Sequence, residues 1–221
     1  MPMGEDGLEV FQDLLLHGPT ERQSVLLQAL VARATAPWRH VPDAGQRIAV
    51  PTSDEVVAFE REAGDGLKAA GLVLWQRLEG YEVTNIVPRD GRELGRDGYN
   101  AILMDFVRRI AEPAASESGF SLEISAPTRR LEDWLSADAA HALRRFSGSA
   151  NKSTGSSHPL DRRRWLAFLL QVHHDARRMD GSELSRWLVQ VEGWQEDQAS
   201  ELASEYDFGL ELLAARDRQA P

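Results

Sequence analysis

The chain contains no cysteine, which excludes disulfides, thiolate zinc sites and a cysteine nucleophile. Lysine is almost as scarce: of 25 basic residues only Lys68 and Lys152 are lysines, and the rest are arginines. No apolar run approaches the roughly 20 residues that a membrane helix needs. The opening MPMGEDGLEV lacks the basic and apolar regions of a secretory signal, so a cytoplasmic location is expected. A net charge of −10 disfavours wholesale nucleic-acid binding. No complete catalytic signature is present, so no catalytic residue is assigned and no metal or other cofactor is expected.

What is there is an average globular composition over 221 residues, 42% hydrophobic and 27% charged, enough for one large or two small units. Leu8, Phe11, Leu14 and Leu15 recur at helical spacing up to Gly18-Pro19. Thr20 and Gln23 then form a capping-box pattern ahead of Leu26, Leu27, Leu30 and Val31, which together predict an N-terminal helical hairpin. Trp38 to Val50 reads as a connection with a short strand at Arg47–Val50. Thr52-Ser53-Asp54-Glu55 resembles an N-terminal cap, predicting a helix to about Ala63. Leu67 to Leu78 fits a helix and a strand nearly equally, and its length with Gly80 as a cap favours helix. Tyr81–Val87 is rich in β-branched residues and predicts a strand. Leu94 to Ile110 predicts a helix ended by Pro113, and Phe120–Ser125 alternates as a second strand, an order that permits a βαβ crossover. From Leu131 onward everything reads helical. The expected fold is therefore α+β and predominantly helical. A small two- or three-stranded sheet sits in the middle, between an N-terminal helical hairpin and a C-terminal helical bundle. The expected division is 1–126 as an α+β lobe and 127–221 as a helical lobe, in one compact unit.

The most distinctive local feature is the polar stretch Ser147–His158, SGSANKSTGSSH, which leads into a helix at Pro159. Asn151, Lys152, Ser153, Thr154, Ser157 and His158, with Arg162 in the following Arg162-Arg163-Arg164, could hold an anion such as a phosphate at a helix N-terminus. The Walker A spacing is absent, because Phe146 and Asn151 stand where its glycines belong. A solvated serine-rich connector explains the same residues. His173-His174-Asp175 with His141 resembles the ligand set of HD-type metal phosphohydrolases. On a helical wheel, however, His174 falls opposite the buried face centred on Trp165, and the flanking motif of that family is missing. Arg89 and Arg92 follow a predicted strand and are weaker binding candidates beside an Asp-Gly turn.

Charge is segregated. Residues 129–186 carry eleven basic and seven acidic side chains, whereas residues 192–215 carry seven carboxylates and no base. Within that acidic helix Ala199, Leu202, Tyr206 and Leu213 form an apolar stripe, with Trp187 and Trp194 nearby. The stripe either packs on the protein's own core or, with Trp194, Glu196, Glu201, Glu205 and Tyr206, contacts a basic protein partner or a second copy. The leading expectation is a partner-binding protein, with an accessory or neutralising component of a toxin–antitoxin or anti-phage defence system as its concrete form. The alternative is an enzyme or sensor for a phosphorylated small molecule or nucleotide at loop 147–158. Nucleic acid is the weakest class.

Overall fold

The computed structural model describes residues 7–42, 56–175 and 177–219. The chain divides into two compact units, one formed by residues 10–127 and the other by residues 1–9 and 128–221.

The first unit is an antiparallel sheet of six strands in the order β3-β4-β5-β6-β2-β7: β2 Leu14–His17, β3 Trp38–Val41, β4 Val56–Arg61, β5 Ala70–Arg77, β6 Gly80–Pro88 and β7 Ser121–Ile124. This overturns the expected small sheet, and the reason is a period of two in segments whose apolar spacing also fits a period near 3.6. Leu8, Val10, Gln12, Leu14 and Leu16 are buried alternately while Phe11 is 48% exposed, so the predicted first helix is extended chain and there is no helical hairpin. Residues 67–78 behave likewise: Ala70, Leu72 and Leu74 point into the core from β5, in register with Arg61, Phe59 and Val57 on β4. Residues 56–61 of the helix predicted after Thr52 are also strand, and Trp38–Val41 is an edge strand within the predicted connection. The strand predicted at 47–50 and the cap at 52–55 lie outside the described residues.

Tyr81–Val87 falls within β6, and Ser121–Ile124 of the second predicted strand forms β7. Both run antiparallel to β2, which lies between them, so they share a direction without being neighbours. Gly80 makes this arrangement possible. Its φ is +143°, and a Cβ there would sit 1.6 Å from the Leu16 carbonyl oxygen. Helices α1 (Gln23–Arg33), α2 (Gly95–Phe106) and α3 (Glu112–Ser118) supply Leu26, Leu30, Ile102, Leu103, Phe106 and Ala115 to the core. A π-helical turn, Val107–Ala111, joins α2 to α3. It resets the hydrogen-bond ladder so that Pro113 falls in a first turn, where its missing N–H is tolerated. The helix therefore continues past Pro113 to Gly119, which ends it in the left-handed region at φ +74°.

The second unit opens with β1 (Gly7–Glu9) paired antiparallel to β8 (Thr128–Arg130), followed by α4 (Leu131–Trp134), α5 (Ala137–Ser149), α6 (Pro159–His173), α7 (Gly181–Gln190) and α8 (Glu196–Gln219). Its core is a chain of aromatic contacts: Phe146 stacks on Trp194 with centroids 5.5 Å apart and meets Trp165 at 5.0 Å, and Phe168 stacks on Tyr206 at 5.9 Å. Such pairs contribute about 0.5–1.5 kcal/mol each beyond the area they bury. Asp180 and Glu183 cap α7 reciprocally. Among the described residues no helix is long and apolar enough to cross a membrane.

Candidate functional site

Loop 150–158 begins later than the composition suggests, because Ser147, Gly148 and Ser149 complete the last turn of α5. Asn151 turns the chain by accepting from the Ser153 N–H at 3.0 Å and its hydroxyl at 2.8 Å. His158 caps α6, its Nδ1 accepting the Leu160 N–H at 3.3 Å. Lys152 donates to the Glu192 backbone carbonyl and lies 4.0 Å from the Glu192 carboxylate. Arg162 donates to both oxygens of Glu205, at 2.8 and 2.9 Å, and to the Ser156 hydroxyl at 3.1 Å. Thr154, Ser157 and Arg162 do share a cleft of about 150 Å³. Its other side is formed by Gln198, Glu201 and Glu205. The two cations expected to hold an anion are thus engaged by glutamates, and an anion entering the cleft would meet two carboxylates.

The predicted partner surface separates into two sets. Trp194 and Tyr206 are buried core residues. The Trp194 indole donates to Ser147 Oγ at 2.7 Å, and that hydroxyl donates to Glu192 at 2.7 Å. The Tyr206 hydroxyl donates to the Met179 carbonyl at 2.8 Å, and burial pushes its pKa far above the ordinary tyrosine value. Ala199 and Leu202 are buried beside it, so most of the stripe belongs to the interior. Glu196 and Glu201 are exposed, and Glu205 is half-buried in its pair with Arg162.

The outer face of α8 brings the predicted Glu201 together with Asp197, Phe208 and Leu212, three residues that sequence reasoning missed. At 100° per residue Asp197, Glu201, Phe208 and Leu212 project within about 60° of one another, opposite the buried stripe. Phe208 is 67% exposed and Leu212 58%. Among the described residues no basic side chain pairs with Glu196, Asp197, Glu201, Asp207 or Glu211. Glu211 borders a cleft of about 500 Å³ whose rim also carries Arg178 and Arg218. The available signal is the seven-residue spacing of Glu201 and Phe208, which is off the apolar stripe.

The remaining candidates are accounted for locally. His173 Nε2 lies 2.6 Å from Asp217 Oδ2, and hydrogen bonds from His173 and Arg216 hold the Asp217 carboxyl below its ordinary value. His174 is exposed, and His141 lines a separate groove on α5. Among the described residues no group of three or more histidine, aspartate or glutamate side chains is arranged to hold a metal ion. Arg89 donates to Glu60 at 3.0 Å, and the Arg92 N–H to Asp90 at 3.1 Å within the turn.

Residues 139–207 match the model of a family described as a domain of unknown function (DUF1889), a stretch running from α5 into α8. Compared with curated proteins and with solved structures, the chain matches none.

Proposed function

We propose that this chain is a partner-binding protein that lays the outer face of α8 over a basic protein surface. The observation that carries this reading is the exposed pair Phe208 and Leu212 framed by the carboxylates Asp197 and Glu201, which have no basic partner among the described residues. Exposed aromatic and aliphatic side chains provide desolvation energy on contact, while an acidic frame selects a basic partner and steers its approach. A neutralising component of a toxin–antitoxin or anti-phage defence system, acting in the cytoplasm, is the concrete form of the proposal. Its mechanism is steric and electrostatic: an acidic helix covers a basic working surface and needs no chemistry of its own. Trp194 and Tyr206 serve this surface from behind, by fixing α8 on the core. Glu205 does the same through Arg162.

The test places a photo-crosslinking amino acid at position 208, and at position 92 as a control, in the full chain in its native cell. A partner captured at 208 and not at 92, with a basic contact surface, is the expected result. Its yield should fall at least tenfold in a Glu201→Lys background at about 0.15 M salt, where exposed charges more than about 8 Å apart are screened. Equal capture at both positions, or a partner indifferent to Glu201→Lys, overturns the reading.

A further inference from the structure

The anion chemistry sought in the polar loop has a better setting elsewhere in the same unit. Helices α5 and α6 enclose a groove of about 420 Å³ lined by His141, Ala142, Arg145, Leu160, Arg163, Arg164 and Ala167. Among the described residues no carboxylate lines it, in contrast to the clefts beside α8, which present Glu201 and Glu205 or Asp180, Asp207 and Glu211. Arg164 is held by Asp161 at 2.7 Å. Arg145 and Arg163 are exposed and pair with no described residue. Three guanidinium groups and an imidazole therefore line one concavity, and among the described residues two of the guanidiniums have no partner.

We propose that this groove binds a small organic phosphate monoester. Planar guanidinium forks match the oxygens of a phosphate, and two free ones suit a dianion better than a single carboxylate. Leu160 is the second residue of α6 and Arg163 the fifth, so the groove flanks the N-terminal half of that helix. The volume is that of a small-ligand pocket and too small for a folded partner. Part of the lining is apolar: Leu160, 52% exposed, Ala142 and Ala167. That apolar lining calls for a ligand with an apolar or aromatic body attached to the phosphate, which free inorganic phosphate lacks. The site is independent of the outer face of α8, because it uses other residues on other helices.

The experiment titrates the full chain with phenyl phosphate, inorganic phosphate and phenol, followed by amide chemical shifts and thermal stability. Phenyl phosphate should perturb residues 141–145 and 160–167, bind at least tenfold more tightly than inorganic phosphate, and leave loop 150–158 unmoved. Phenol should have no effect. Arg145→Gln/Arg163→Gln should weaken phenyl phosphate at least tenfold with an unchanged melting temperature in its absence, since neither side chain has a described partner to lose. No perturbation at millimolar phenyl phosphate, a response centred on residues 150–158, or an unaltered response in the double variant overturns the proposal. So does single-stranded RNA binding through the same arginines at least a hundredfold more tightly, with affinity falling steeply in salt, because the occupant would then be a polyanion.

Discussion

Two ion pairs, one in each unit of this protein, use charge in opposite ways. In the sheet unit Arg61 is fully buried on β4 and Asp105 on α2 is 8% exposed, with 3.0 Å between Arg61 Nε and the carboxylate. The same carboxylate accepts from Trp38 Nε1 and Arg109 Nε, each at 2.8 Å. Arg61 spends its other donors on the backbone carbonyls of Glu62, Gly64 and Leu67, which fastens the turn between β4 and β5. In the helical unit the pair of Arg162 with Glu205 is 50% and 31% exposed, and Glu196, Asp197, Glu201, Asp207 and Glu211 on α8 have no basic partner among the described residues. Removing a charge from water is costly unless every donor and acceptor is matched, so buried charge becomes architecture. Exposed, unmatched charge contributes little to folding and stays available to a partner.

Variants at three places can break this comparison. The largest effect is expected for Asp105→Ala, which strands Arg61 in the core and should cost about 3–5 kcal/mol. Amide exchange of β4 and β5 under urea reads that loss, and a change under about 1 kcal/mol would remove the contrast. Replacing both partners, as Arg61→Met/Asp105→Leu, should be less damaging than the single change. The pH dependence has a definite sign. Burial raises the Asp105 carboxyl, but hydrogen bonds from Arg61, Arg109 and Trp38 outweigh it and hold the carboxyl below its ordinary value. Its contribution to stability is therefore complete above the usual carboxylate range and is lost as the pH falls below about 4.

Tyr206→Phe should follow at about 1 kcal/mol, the worth of a buried neutral hydrogen bond. The raised pKa of Tyr206 means that its contribution is complete below pH about 10 and declines as the pH rises beyond it. An alkaline unfolding limb that is unchanged in Tyr206→Phe would show that another group titrates. The smallest effect is expected for the coupling of Arg162 with Glu205, about 0.2–1 kcal/mol in a double-mutant cycle and weaker in salt. A coupling above about 2 kcal/mol would mean that this surface pair is structural in the manner of Arg61 and Asp105.

The helical unit is more legible in the sequence than the sheet unit, for a physical reason. Helical periodicity and caps are local, and the stretch read as helical from Leu131 onward holds α4, α5, α6, α7 and α8. Strands are settled by partners far away in the chain. Leu14 and Leu15 fit a helix as well as a strand until β6 and β7 arrive on either side. The same limit applies to function. The serine-rich loop is conspicuous, yet nothing in its composition says that Lys152 and Arg162 are engaged by Glu192 and Glu205, some 40 residues later. Trp194 and Tyr206 stand out as aromatics in a charged frame, whereas the exposed aromatic of α8 is Phe208, on the other side of that helix from Tyr206.

The pairing of β1 with β8 has a consequence for chain architecture. Glu9 stands opposite Thr128 in that ladder, and the Val10 N–H donates to the Pro127 carbonyl at 2.9 Å. The chain therefore leaves and re-enters the helical unit at two neighbouring points, and residues 10–127 have the topology of an insertion into a β-hairpin. Splicing Glu9 to Thr128 through a short Asn-Gly turn would turn the helical unit into one continuous polypeptide. A fragment beginning at Thr128 would instead leave β8 as an open edge, inviting strand exchange between molecules.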